Sequence, residues 1–203
     1  MKRLIIATIL TTLMTPVYAT SINEMIFTWI RDCESCTPKI LAKGTITEDT
    51  PKFFEQIITD KPNTEVFLDS VGGSMLGGTE LGKLFSKHRV NVYVAPSVTY
   101  YTALGNKTIS SMKCYSACAY AFLGGQNRLV DKDGKYGVHS HQSITSENSR
   151  LDNQLINNFL LNYLKEVNIT KQYLDIANSV SSDDMKILTQ EELKELNIIT
   201  TRG

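Results

Sequence analysis

The sequence predicts an α/β domain with a mostly parallel sheet and surrounding helices. Short strand-like runs at 40–46, 64–68 and 90–94 alternate with helical stretches, and a Gly72-Gly73 break turns one strand into the next helix. Strand–helix alternation of this kind favours parallel pairing, and sites in such sheets gather where strands run into helices.

Taken in order, residues 40–46 have strand character. Thr50-Pro51 then supplies an N-cap and a proline at the first helical position, opening a helix through about Ile58. Lys61-Pro-Asn63 is a turn. Residues 64–68 alternate as a strand, and the helix after Gly73 runs to about Lys87 with Leu81, Leu84 and Phe85 on one face. Gly77 and Gly78 weaken that helix and predict close packing against a neighbour. After the strand at 90–94, residues 97–113 are polar and aromatic without period and read as a long loop. A helix is predicted over 116–123 and a strand over 128–130. Asp131-Lys-Asp-Gly134 then makes a hairpin-like turn returning through Tyr136 to His139. Residues 151–167 and 170–179 are helical, Thr189-Gln-Glu-Glu192 is a capping box, and 198–200 reads as a final strand.

Residues 1–19 have the form of a secretory signal. Lys2 and Arg3 precede an apolar run, and Val17-Tyr18-Ala19 forms a cleavage site. That run is too short to span a bilayer, and no later stretch is long and apolar enough, so a periplasmic or secreted protein without a stable span is expected. Residues 20–38 form an N-terminal segment before a domain over 39–203. With 21 basic and 21 acidic side chains and no block of like charge, nucleic acid is not a predicted partner. In an oxidising compartment Cys33, Cys36, Cys114 and Cys118 are expected as disulfides, with three pairings open. Cys33-Glu-Ser-Cys36 also has the spacing of thiol oxidoreductases.

The chemistry concentrates in Cys114-Tyr-Ser-Ala-Cys-Ala-Tyr120 and Gly137-Val-His139. A serine hydroxyl is a weak nucleophile until a neighbouring base takes its proton. Ser116 at a helix start would leave the Ala117 N–H without an intrahelical partner, and Gly73 would bring a second donor, together forming an oxyanion hole. His88, at a helix C-terminus, reads as structural. His139 and His141 share a face if that segment is a strand, so either can be the base. No acidic or cysteine ligand lies at metal-site spacing from them, and no Gly-x-x-x-x-Gly-Lys pattern occurs, so neither a metal nor a nucleotide cofactor is predicted.

These segments resemble the Clp protease/crotonase superfamily, in particular its exported, periplasmic Clp-like serine peptidase branch. Asp69-Ser-Val-Gly-Gly73 matches the family's Ser-Pro-Gly-Gly turn, with Val71 where proline is usual. Tyr115-Ser-Ala-Cys-Ala-Tyr120 matches its nucleophile segment, with Cys118 where glycine is common. The resemblance implies a Clp/crotonase-like fold, Ser116 as nucleophile, His139 as base with His141 in reserve, and an oxyanion site at Gly73 and Ala117. It places the orienting acid near Ser181, with Asp183 the candidate. It further implies a peptide or protein substrate and assembly into rings or smaller oligomers, with residues 97–113 and the helix after His141 as contact regions. The alternatives are a catalytically silent Clp-like binding module and a thiol-redox protein acting through Cys33 and Cys36.

Overall fold

The computed structural model describes residues 23–58, 62–141 and 149–200; the signal-like segment 1–19 lies outside them. In chain order the elements begin with β1 (Ile26–Ile30), β2 (Lys39–Lys43), α1 (Thr50–Ile57), β3 (Glu65–Asp69), α2 (Met75–Lys87) and β4 (Asn91–Val94). Next come β5 (Ser97–Thr102), β6 (Gly105–Ser110), β7 (Lys113–Tyr115), α3 (Ala117–Leu123), β8 (Asn127–Val130) and β9 (Lys135–Val138). The chain closes with α4 (Ser149–Glu166), α5 (Lys171–Asn178), β10 (Lys186–Ile187) and α6 (Gln190–Glu195).

The main sheet has the order β1-β2-β3-β4-β8. From β2 to β8 every pairing is parallel, whereas β1 joins β2 antiparallel, so the expected parallel sheet carries an antiparallel edge. Residues 26–30, within the predicted N-terminal segment, therefore belong to the same sheet as the strands that follow. A smaller sheet, β10-β9-β7, is parallel between β7 and β9 and antiparallel between β9 and β10.

The period of two in β2 and β3 explains how both sheet faces are covered. Ile40, Ala42, Val66 and Leu68 enter the large core with Leu81 and Phe85 of α2, all of α3, and Tyr163 and Tyr173 of α4 and α5. Leu41 and Phe67 point the other way and pack with Ile30, Val98, Met112, Tyr100 and Ile109. The second cover is the β5–β6 hairpin, where a loop was expected. Its inward positions include Val98 and Tyr100, and Thr99 and Tyr101 point outward; tyrosines on both faces hide the alternation from a hydrophobicity reading.

Two further expectations change. The turn at 131–134 does not pair its flanking strands, because β8 joins β4 and β9 joins β7. The segment 198–200 is not a strand; Thr200 N–H donates to Arg128 O (2.9 Å) and Thr200 Oγ1 accepts from Arg128 N–H (2.8 Å). The expected close packing at the α2 glycines is present. A Cβ on Gly78 would stand 2.3 Å from Ala117 O, so only glycine lets α3 lie this close to α2.

Candidate active site

Three segments converge where parallel strands end. β3 extends past Asp69 through a bridge between Ser70 and Cys114: Ser70 N–H donates to Lys113 O (2.7 Å), and Tyr115 N–H to Ser70 O (3.1 Å). The Val71-Gly72-Gly73 turn therefore leaves β3 beside the point where β7 gives way to α3. On the other side of β7, Tyr115 lies in register with Gly137, and Ser116 N–H donates to Gly137 O (3.0 Å). Because β7 and β9 run in the same direction, Ser116 and His139 both emerge from carboxyl ends of neighbouring strands.

Ser116 is the N-cap of α3, with φ 56° and ψ −122°. A non-glycine residue with those angles is strained by its own Cβ, and such strain at a strand-to-helix turn is how an exposed nucleophile is presented. The turn is held on both sides. Cys114 and Cys118, both fully buried, form a disulfide that ties the end of β7 to the first turn of α3 with Ser116 between them. The other pair is Cys33–Cys36, so each cysteine bonds its near neighbour.

Gly72, rather than Gly73, touches the serine. At φ 103°, a Cβ on Gly72 would sit 2.7 Å from both Ser116 Cβ and Tyr115 O, and 3.0 Å from Ala117 N. Gly72 N–H is used within its turn, donating to Ser70 Oγ (3.0 Å). Gly73 packs on Ile46, and neither its N–H nor that of Ala117 donates to another described residue. The two donors expected for an oxyanion are thus uncommitted.

Among the described residues no hydrogen bond joins Ser116 Oγ to a histidine. His139 is half-buried, and its Nδ1 is enclosed without a partner. His141 Nδ1 is in the same condition; burial lowers the pKa of its imidazole, against a smaller raising effect from a hydrogen bond with Asn153. His88 caps the C-terminus of α2 and packs edge-on to Phe54, away from these segments in the fold.

Asp183 does not bond His139, but its segment passes the histidine. Ser140 N–H donates to Val180 O (3.0 Å), while Lys186 pairs with Val138. Residues 181–185 therefore form an arch between those two pairings, opposite His139, with Asp183 exposed and Met185 against Gly137. Its own N–H donates to Ser181 Oγ (3.3 Å).

A cleft of about 510 Å³ adjoins the glycine turn at the carboxyl edge of the main sheet. Ile26, Leu41, Val71, Tyr100 and Ile109 give it apolar walls, and the Lys43–Asp69 ion pair lies in it. The sequence names residues 97–113 as a contact region, and Tyr100 and Ile109 line this cleft, but its shape depends on β1 and the β5–β6 pairing, which the sequence does not show. The positive φ of Ser116 was equally hidden, since serine carries no signal for it; the adjoining Gly72 was the available clue.

No family model matches the chain, and no curated protein does. Among solved structures it is similar to a mutant of ClpP1 from Listeria monocytogenes, with 17% identity, 78% of this chain and 86% of that chain covered, and a TM-score of 0.49.

Proposed function

We propose that this protein is an exported Clp-like serine hydrolase acting on peptides or proteins. The observation that carries the reading is Ser116: a non-glycine residue at positive φ, set between a helix start, a glycine turn and a histidine-bearing strand end. Ser116 Oγ attacks the substrate carbonyl and passes its proton to His139, which returns it to the leaving amine. The N–H groups of Gly73 and Ala117 receive the developing oxyanion, each contributing roughly 3 kcal/mol to the transition state. Asp183 orients His139 at Nδ1 once the 181–185 arch closes on it, and His141 is the reserve base. The substrate chain lies in the cleft walled by the hairpin, whose Tyr100 and Ile109 face it. No metal or nucleotide takes part in these steps, and the same molecule forms homo-oligomers.

A mixture of fluorogenic peptides tests this reading directly. Hydrolysis is expected from the oxidised protein and not from Ser116→Ala. A second reading, a catalytically silent binding module of the same fold, is favoured by the open Ser116–His139 geometry and the unpartnered His139 Nδ1. It predicts peptide binding without turnover, unchanged by Ser116→Ala.

A further inference from the structure

The two disulfides differ in one physical respect that matters for reactivity. Cys114 and Cys118 are both wholly buried, whereas Cys33 is exposed and Cys36 partly so, in the loop between β1 and β2. Thiol–disulfide exchange needs a thiolate to reach one sulfur in line with the bond, so access decides which pair reacts. Cys36 also lines a second cleft, of about 750 Å³, together with Trp29, Thr37, Pro38, Pro62 and Glu65. Trp29 is 42% exposed there, a large aromatic left open beside a disulfide. Ser35 lines the same cleft, and its Oγ lies 3.6 Å from Cys33 Sγ.

We propose that Cys33–Cys36 is a thiol–disulfide exchange site, which takes its reducing equivalents from a thiol seated in the Trp29 cleft. This is a second activity, independent of Ser116. The entering thiolate attacks Sγ of Cys36, the one of the two cysteines that lines the cleft, and the Cys33–Cys36 bond breaks. Cys33, which is exposed, leaves as a thiolate to which the neighbouring Ser35 hydroxyl donates; a stabilised leaving thiolate speeds exchange. A second thiol then attacks the entering sulfur of the mixed disulfide, which releases Cys36. Two thiols are thereby oxidised to one disulfide, two electrons reduce the Cys33–Cys36 bond, and the two protons end on Cys33 and Cys36. The reductant is a thiol compound, either a small monothiol or a protein dithiol.

The test uses the folded, oxidised full-length mature chain, treated separately with reduced glutathione and with a peptide carrying a Cys-x-x-Cys dithiol. Timed samples are alkylated, and each cysteine is read by peptide mass. Cys33–Cys36 is expected to open about tenfold or more faster than Cys114–Cys118, which serves as the internal control for folding. A trapped adduct is expected on Cys36, and Ser35→Ala is expected to slow opening several-fold. Opening by glutathione identifies a small thiol as sufficient. Opening only by the peptide, with loss of rate in Trp29→Ala, identifies a protein dithiol; either supports the site. A pair that resists both reductants, or that opens only together with Cys114–Cys118, overturns the proposal.

Discussion

At the residue scale, the candidate site turns on backbone angles that few side chains tolerate. Ser116 holds φ 56°, and Gly72 supports it from φ 103° with no room for a Cβ. Gly72→Ala would press a methyl group onto Ser116 Cβ and add strain of its own, about 1–3 kcal/mol. The expected outcome is a folded protein, judged by circular dichroism, whose Ser116 reactivity falls by about 100-fold or more. Unchanged reactivity in that variant would remove the glycine turn from the site. Some of this was legible. The Gly-Gly and Tyr-Ser-Ala segments pointed to each other in the sequence, and the fold brings them into contact. What could not be read was which glycine touches the serine, because that depends on the Ser70–Cys114 bridge, a tertiary pairing between strands far apart in the chain.

At the element scale, sequence signals match the structure where the chemistry is local. Thr189-Gln-Glu-Glu192 forms a reciprocal capping box at the start of α6, with Thr189 Oγ1 accepting from Glu192 N–H (3.2 Å) and Glu192 Oε2 from Thr189 N–H (2.9 Å). The hydrogen bond from Lys186, followed by that from the Thr189 N–H, lowers the Glu192 pKa below its ordinary 4.5. A depressed carboxylate contributes stability above its unfolded value, and that contribution disappears as pH falls through the folded one. Glu192→Gln keeps an acceptor for Thr189 but loses the charge, so at neutral pH it should cost about 0.5 kcal/mol, less in high salt. The difference from the parent should vanish well below pH 4.5, as urea melts at several pH values would show. The hairpin and β1 escaped the reading for the opposite reason. Their faces are defined by what covers the sheet, and the exposed apolar side chains of Tyr101, Ile26 and Trp29 break any simple apolar alternation.

At the scale of the whole molecule, the site depends on how the last segment of the chain closes over α3. The Arg128 guanidinium donates to Ile198 O (2.7 Å), Asn197 O (2.9 Å), Gly125 O (3.1 Å) and Leu123 O (3.2 Å), joining the C-terminal end of α3 to residues near the end of the chain. Buried tyrosines hold α3 from the other side, with Tyr136 Oη donating to Ala119 O (2.9 Å) and Tyr163 Oη to Tyr120 O (2.7 Å). Burial raises the pKa of both phenols, which keeps them neutral donors. Arg128→Ala strands several of those carbonyls and should cost about 3 kcal/mol. For a domain of this size that is a fall in Tm of roughly 6–12 °C by calorimetry. An activated Ser116 paired with His139 gives a defined result in fluorophosphonate labelling of the oxidised protein, read as intact mass. The parent should gain a single adduct, Ser116→Ala none, and His139→Ala one formed far more slowly, while His141→Ala behaves as the parent. A folded parent that takes up no adduct, or that labels equally fast without Ser116, would show that Ser116 is not an activated nucleophile.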